Sequence, residues 1–144
     1  MRQKLAVSSL GPRVEVTSTG THGYHIGEPP DPRAIAAAAR RGYDLGDLRA
    51  TKFSEADFRR FDWILALDRI HLAELERLKV GDSGWPPLLM TAYSCQFRNR
   101  DVPDPYYGSV AGFEQVLDMV EDACDGLLEE LTARLARTSP NPAS

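Results

Sequence analysis

The sequence predicts an α/β fold, a three-layer sandwich in which helices cover both faces of a short parallel β-sheet. Segments typical of strands alternate with segments of helical periodicity, which is the pattern of parallel-sheet proteins. Residues 62–68 are a continuous apolar run that begins with Asp62 and ends with Asp68, as expected for a strand that is buried on both faces. Crossover connections between parallel strands are right-handed, so helices are expected on both faces of the sheet.

Three segments are predicted as strands. Val14–Ser18 alternates and is rich in β-branched residues, residues 62–68 are the apolar run, and Pro87–Ala92 is expected to be the last strand. The carboxyl ends of parallel strands meet at one edge of a sheet, where the reactive groups of such folds gather. The loops that follow these three strands are therefore the expected place for a functional site.

Capping residues mark the boundaries of two predicted helices. Asp31 and Pro32 are typical of an N-cap and a first helical position, and Gly42 is typical of the left-handed residue that ends a helix. Ser54–Asp57 resembles a capping box at the start of a short helix. The remaining predicted helices are the end of a helix within the first ten residues, His71–Leu78, and a long amphipathic helix over Ser109–Arg137.

Length and composition indicate one globular domain. The chain has 144 residues, of which 42% are hydrophobic and 26% charged, and these fractions are ordinary for a globular protein. We expect a single domain over residues 1–137. Residues 138–144, rich in proline and small polar residues, are expected to form a disordered tail.

Charge and hydrophobicity argue against several classes of partner. The net charge is -4 and no stripe of basic residues is interleaved with aromatics, so no nucleic-acid partner is expected. No apolar run approaches the ~20 residues of a membrane span, and the N-terminus has no apolar signal segment. Two cysteines are too few for a disulfide scaffold, so we expect a cytoplasmic protein without a membrane partner.

The stretch from Asp101 to Gly108, which reads DVPDPYYG, is the most informative one. Asp104 stands between two prolines, each of which fixes its own φ and restricts the residue before it. Its carboxylate is therefore expected on a stiff loop beside two tyrosines, an arrangement suited to donating a proton to an aryl oxygen. A rigid turn that only caps the last helix explains the same residues equally well.

The pentapeptide Asp104–Gly108 resembles the general-acid loop of the low-molecular-weight protein-tyrosine-phosphatases. Four further stretches resemble other motifs of this family in order and spacing. They are Thr17–Thr21 (D-S-A-G-T in the family), Tyr24–Asp31 (Y-x-V-G-x-P-P-D), Asp57–Asp68 (D-F-x-x-F-D-x-I-L-x-M-D) and Ala111–Glu114 at the start of the last helix. Together these stretches cover nearly the whole chain.

The resemblance implies roles for individual residues. Asp104 is similar to the general acid that protonates the departing tyrosyl oxygen and later activates water. Tyr106 and Tyr107 are similar to the aromatic walls of the crevice, and Tyr24 to the ring that stacks on the substrate. Ser18 is similar to a residue whose hydroxyl supports the phosphate loop.

The resemblance also implies the substrate class and the cofactor requirement. Complete relatives hydrolyse protein tyrosine phosphate through a cysteinyl-phosphate intermediate, without a cofactor or metal. The expected partner is a tyrosine-phosphorylated protein or a small aryl phosphate, with a tyrosine kinase as a further candidate.

The defining motif of the family, C-x5-R-[ST], does not occur in the sequence. Its thiolate attacks phosphorus, its backbone N–H groups cradle the phosphate, and its arginine clamps two oxygens. Six residues after Cys95 stands Asp101, and six after Cys124 stands Glu130. We therefore expect the chain as printed to be inactive.

The resemblance places the missing motif before Met1. Family members have four strands in the order 2-1-3-4, and the central first strand and phosphate loop have no counterpart here. We expect an N-terminally truncated or wrongly started chain.

Three other interpretations stay open at this point. His22, His25 and Glu28 lie close enough to suggest a metal site, but no fourth ligand is evident and a polar loop explains them. Arsenate reductases of related fold use a similar loop, yet they need further cysteines. A non-catalytic phosphoprotein-binding module is the third interpretation, although phosphate affinity is expected to be poor without the N–H cradle and the arginine.

Overall fold

The computed structural model describes residues 1–6, 8, 13–20, 27–49, 51–79, 86–104 and 110–138. In chain order its elements are α1 (Arg2–Ala6), α2 (Pro32–Ala39), α3 (Asp57–Arg60), β1 (Leu65–Ala66), α4 (Arg69–Leu78), β2 (Leu88–Leu89), a 3-10 helix (Met90–Tyr93) and α5 (Val110–Thr138). Of the predicted tail, Thr138 is the last residue of α5, and the rest lies outside the described residues. Within the described part, no helix is both long and apolar enough to cross a membrane.

The described chain contains a short parallel sheet of two strands between helices, which confirms the predicted α/β class. Strand β1 pairs with β2 in parallel, with Leu65 opposite Leu88 and Ala66 opposite Leu89. The N–H of Leu88 also donates to the carbonyl of Ile64 at 3.2 Å. Helix α4 connects the two strands, as in other parallel crossovers.

The prediction of a strand at Val14–Ser18 is wrong for the described residues. This segment has no strand or bridge in the described chain, and the nearest bridge lies beyond it, between Gly20 and Lys52. The carbonyl of Val16 instead accepts from the side chain of Arg2 at 2.8 Å. A strand needs a neighbour that pairs with its backbone groups, and here a side chain serves one of those groups.

The two other predicted strands are shorter than expected. The apolar run 62–68 contributes only β1, and Leu67 is 48% exposed, so burial on both faces is wrong for that residue. The predicted strand Pro87–Ala92 turns into the 3-10 helix after Leu89. The helical turn brings the buried hydroxyl of Thr91 to the carbonyl of Arg100, to which it donates at 2.5 Å.

The capping predictions for α2 are confirmed. Asp31 is the N-cap and its carboxylate accepts from the N–H of Arg33 at 2.8 Å. Gly42 follows the helix with φ 85°, a left-handed value that favours glycine. At α3 the N–H of Ser54 donates to Asp57 at 2.9 Å, but the N-cap is Ala56 and no side chain caps the helix, so the predicted capping box is wrong for this helix start.

Two groups of buried side chains stabilise the arrangement. Beneath β1, Phe53 and Phe58 meet edge to face with their centroids 5.0 Å apart and pack with Ala66 and Leu75. Each large apolar side chain buried in this way contributes about 1.5–3 kcal/mol. The second group is the inner face of α5, formed by Phe113, Met119, Ala123, Cys124 and Leu127.

Helix α5 carries the largest share of the packing between elements. It contacts α1, α2 and the 3-10 helix. The closest approach is at Gly126, where an added Cβ would lie 1.7 Å from the carbonyl oxygen of Tyr93. Glycine at this position allows the long helix to touch the backbone that leads into the loop of Asp104.

Candidate active site

The loop that carries Asp104 is joined to the carboxyl end of β1. We call its described residues, 101–104, the acid loop. The N–H of Val102 donates to the carbonyl of Leu67 at 2.8 Å, one residue beyond the strand. The side chain of Val102 is buried, whereas Pro103 and Asp104 are exposed. Burial and the hydrogen bond together hold the start of this loop at the edge where the sequence predicts a functional site.

Arg69, the first residue of α4, contacts the turn that precedes Val102 and Asp104 in the chain. Its N–H and its Nη1 both donate to Oδ1 of Asp101 at 3.0 Å, and its Nη2 donates to the carbonyl of Asn99 at 2.6 Å. Asn99 has φ 60°, a left-handed conformation that asparagine tolerates better than most residues. These contacts join the acid loop to the first turn of α4 through both side chain and backbone.

Thr91 provides a second anchor from the opposite side of the turn. Its side chain is buried and its hydroxyl donates to the carbonyl of Arg100, while its own carbonyl accepts from the N–H of Asn99 at 3.1 Å. The turn is thus held between the 3-10 helix and α4. Hydrogen bonds on both sides leave the backbone from Asn99 to Val102 little freedom.

Asp122 of α5 organises the segment before the turn. Its carboxylate accepts from the hydroxyl of Ser94 and from the N–H of Gln96 at 2.9 Å. Loss of solvent contact acts to raise the pKa of Asp122, but hydrogen bonds from Ser94 and from the backbone outweigh it and hold the pKa below its ordinary value. The carboxylate is therefore an ionised clamp between α5 and the segment that leads to Asp104.

Asp68 follows the carboxyl end of β1 and precedes the first residue of α4. It is the N-cap of α4, and its Oδ1 accepts from the N–H of His71 at 2.8 Å. The Nδ1 of the same histidine lies 2.8 Å from that oxygen. Such a cap fixes where α4 begins and so where Arg69 meets the acid loop.

Ion pairs hold the first turns of α5, which follow the acid loop. Arg41 pairs with three carboxylates on one face of the helix, those of Glu114 (2.7 Å), Asp118 (2.9 Å) and Glu121 (2.9 Å). Hydrogen bonds from Arg41 and then Arg40 hold the pKa of Glu114 below its ordinary value. The end of α2 and the start of α5 are thereby fixed to one another.

The structure describes two of the predicted site residues. Asp104 is exposed on the loop described above, and Ser18 is exposed, with its carbonyl accepting from the hydroxyl of Thr51 at 3.0 Å. Three predicted residues lie outside the described part of the chain, namely Tyr24, Tyr106 and Tyr107. Their roles, and those of Asp104 and Ser18, stay predictions.

The two cysteines differ in their exposure. Cys124 is 1% exposed on the inner face of α5, and burial raises the pKa of its thiol, so the reactive thiolate is disfavoured. Cys95 is exposed in the segment that Asp122 organises. Among the described residues, no three His, Cys, Asp or Glu side chains are grouped so that they could hold a metal ion.

Sequence reasoning missed the residues that position Asp104. Arg69, Asn99, Thr91 and Asp122 act through contacts between segments that are distant in the chain, and no local pattern marks them. The one available signal was Asp101, an acidic residue three positions before Asp104 that could have been assigned a bracing role.

Comparisons with known proteins agree on one family. The family model described as low molecular weight phosphotyrosine protein phosphatase matches residues 1–137. A low molecular weight protein-tyrosine-phosphatase of Streptomyces coelicolor is 42% identical over 130 residues, which are 88% of this chain and 79% of that protein.

Solved structures show the same relationship. A protein tyrosine phosphatase from Entamoeba histolytica superimposes with a TM-score of 0.81 at 31% identity, covering 86% of this chain and 79% of that one. YfkJ from Bacillus subtilis superimposes with a TM-score of 0.83 at 28% identity, covering 92% of this chain and 82% of that one. The chain belongs to the low-molecular-weight phosphotyrosine protein phosphatase family.

Proposed function

We propose that this chain supplies the general-acid half of a site that hydrolyses tyrosine phosphate, with Asp104 as the proton donor. We further propose that the 144 residues alone do not turn over aryl phosphates. Ser18, Tyr24, Tyr106 and Tyr107 are assigned to the same site as its supporting hydroxyl and its aromatic walls, by their resemblance to family motifs.

The chemistry of Asp104 follows from what the reaction needs. When a nucleophile attacks phosphorus and the bond to the tyrosyl oxygen breaks, that oxygen leaves as a poor, basic anion unless it is protonated. A carboxylic acid within reach supplies the proton, and the resulting carboxylate then accepts one from the water that cleaves the covalent intermediate. One carboxyl group therefore serves both half-reactions.

The anchoring of the acid loop is the observation that carries the proposal. Val102, two residues before Asp104, is buried and bonded to Leu67 at the carboxyl end of β1, and Asp101 is bonded to Arg69. A general acid must be held within hydrogen-bond reach of the leaving group, because small displacements cost large factors in rate. The contacts with β1 and α4 hold the start of the loop in one place, as a general acid requires.

The expected lack of turnover rests on the missing nucleophile. The sequence contains no C-x5-R, so neither cysteine is followed at the required spacing by the arginine that clamps phosphate. Loss of the nucleophile in a comparable covalent mechanism lowers the rate by on the order of 10⁶. We therefore expect hydrolysis only after a strand followed by C-x5-R-S is added to the chain.

The substrate class follows from the family. Relatives carry the name protein-tyrosine-phosphatase, which supports a tyrosine-phosphorylated protein as the substrate. A tyrosine kinase is a further proposed partner, on the family resemblance alone. The acidic composition supports the absence of a nucleic-acid partner. The low cysteine content, without a disulfide scaffold, supports a cytoplasmic location.

Hydrolysis of p-nitrophenyl phosphate tests the proposal. The 144-residue polypeptide is assayed beside the same chain extended at its N-terminus by a designed strand and C-x5-R-S segment, with circular dichroism checking that both are folded. We expect no turnover above background from the first and measurable turnover from the second. Turnover by the unextended chain that persists in Cys95→Ser and Cys124→Ser variants would show that another group attacks phosphorus.

A further inference from the structure

A mixed basic and apolar surface lies beside the acid loop. It consists of Leu67 and Ile70 on one side and Arg98 and Arg100 on the other, and we call it the rim surface. Ile70 is 72% exposed, the highest value among the large hydrophobic side chains that are exposed in the described part of the chain, and Leu67 is 48% exposed. Both arginines are exposed as well.

The two sides of the rim surface are fastened together by one residue. Arg69 lies between Leu67 and Ile70 in the chain, and Asn99 lies between the two arginines. The Nη2 of Arg69 donates to the carbonyl of Asn99 at 2.6 Å. The left-handed φ of Asn99 turns the chain at this point. The surface is therefore a preformed arrangement of the first turn of α4 and the turn before Asp104.

The rim surface itself carries the two positive charges of Arg98 and Arg100, in a chain that is acidic overall and with the exposed carboxylate of Asp104 four residues from Arg100. The carboxylate of Asp101 is already paired with Arg69, and that of Asp68 caps α4 and lies against His71. The charges of Arg98 and Arg100 are thus turned to solvent next to exposed apolar side chains. In a chain of net charge -4, such a surface is complementary to an acidic partner that also carries an apolar side chain.

We propose that the rim surface binds the residues that flank the phosphotyrosine of a substrate protein, with acidic side chains on Arg98 and Arg100 and an apolar side chain on Leu67 and Ile70. This proposal rests on the proposed function, because it concerns the substrate residues next to the phosphotyrosine to which Asp104 donates a proton. Asp104 is four residues from Arg100, at most about 14 Å along an extended chain. A substrate residue two to four positions from the tyrosine spans a comparable distance.

Peptide binding to the 144-residue chain tests the rim surface without any hydrolysis. The probe is a fluorescein-labelled, unphosphorylated peptide with three acidic residues before a tyrosine and a leucine after it, followed by anisotropy. We expect the Arg98→Glu/Arg100→Glu variant to bind about tenfold more weakly, because exposed ion pairs are individually weak and charge reversal makes them repulsive. The control variant Arg77→Glu/Arg137→Glu makes the same charge change at exposed positions elsewhere and is expected to bind like the parent chain.

A second comparison tests the apolar side of the surface. Ile70→Ser is expected to weaken binding of the leucine peptide about threefold and to leave binding of a peptide with serine in place of leucine unchanged. The proposal is overturned if the parent chain does not bind the acidic peptide, if the control pair weakens binding as much as the rim pair, or if phosphatidylserine vesicles bind more tightly than the peptide.

The rim surface and the proposed function fail separately. A chain that binds the peptide as expected but, when extended by the C-x5-R-S segment, does not hydrolyse p-nitrophenyl phosphate contradicts only the proposed function. Hydrolysis by the extended chain without peptide discrimination contradicts only the rim surface, since p-nitrophenyl phosphate has no flanking residues.

Discussion

Arg69 contacts Asp101 through both its backbone N–H and its guanidinium, at 3.0 Å in each case. The pair joins residues 32 positions apart and sets the acid loop against the first turn of α4. Both side chains are substantially exposed, 61% and 44%, so the pair contributes little to global stability, about 1 kcal/mol or less. The Arg69–Asp101 pair instead fixes the position of the acid loop relative to α4.

Asp101→Asn therefore loosens the loop more than it destabilises the protein. We expect the amide of Val102 to exchange with solvent roughly threefold to tenfold faster, because local opening no longer breaks the charged contact with Arg69. Native-state hydrogen exchange measures this directly. Glu15→Gln, which removes the exposed pair with Arg60, is the control and leaves exchange of Val102 unchanged; equal effects of the two variants would contradict the positioning role.

Gly126→Ala is expected to destabilise the protein by about 2–3 kcal/mol. Alanine normally stabilises a helix by about 1 kcal/mol relative to glycine, but here its Cβ would lie 1.7 Å from the carbonyl oxygen of Tyr93 and would force the 3-10 helix away. Urea unfolding followed by circular dichroism measures the change. Glu129→Ala, at an exposed position of the same helix, is the control and is expected to change stability by less than about 0.5 kcal/mol.

Much of the fold could be predicted because the deciding signals are local. Asp31 and Gly42 flank α2 as a cap and a left-handed stop, and the apolar run 62–68 contains β1. The 3-10 helix at Met90–Tyr93 could not be predicted, since it depends on the contact of Tyr93 with Gly126 more than thirty residues later. The segment Val14–Ser18 has strand propensity, but propensity alone does not supply the neighbour that a strand must pair with.

In the candidate site, too, local features could be predicted from the sequence and contacts between distant segments could not. The stiffness of the loop at Asp104 could be predicted from its two prolines, a local feature. The anchors Arg69, Thr91 and Asp122 could not, because each contact joins segments brought together only by folding. The roles of the tyrosines come from the family resemblance alone and stay predictions.

Acid should destabilise the protein through Asp122. Its pKa in the folded chain lies below its unfolded value of about 4, so its contribution to stability is complete above that value and is lost as the pH falls through the folded pKa. We expect Asp122→Asn to be less stable than the parent near pH 6, with the difference shrinking as the pH approaches about 3. Urea midpoints across this range measure the effect.

The control for the acid experiment is Glu76→Gln, which removes an exposed carboxylate of α4. Its stability is expected to follow the parent chain across the pH range. If the curves of Asp122→Asn and the parent run parallel, the ionised clamp between α5 and the Ser94 segment is contradicted.

The two thiols should react at very different rates. Cys95 is exposed, whereas Cys124 is buried and its pKa is raised by that burial. Titration of the folded chain with an aromatic disulfide reagent is expected to release one thiol equivalent rapidly and the second only on unfolding by denaturant. Rapid reaction of both thiols, with Cys95→Ser still showing one fast equivalent, would contradict the packing of α5.

The leaving-group dependence of hydrolysis tests the role of Asp104 most directly. In the chain extended by a C-x5-R-S segment, Asp104→Asn is compared with the parent on aryl phosphates whose phenols differ in pKa. Because only basic leaving groups need the proton, kcat for phenyl phosphate is expected to fall at least tenfold more than kcat for p-nitrophenyl phosphate. An equal fall for both substrates would contradict the assignment of Asp104 as the proton donor.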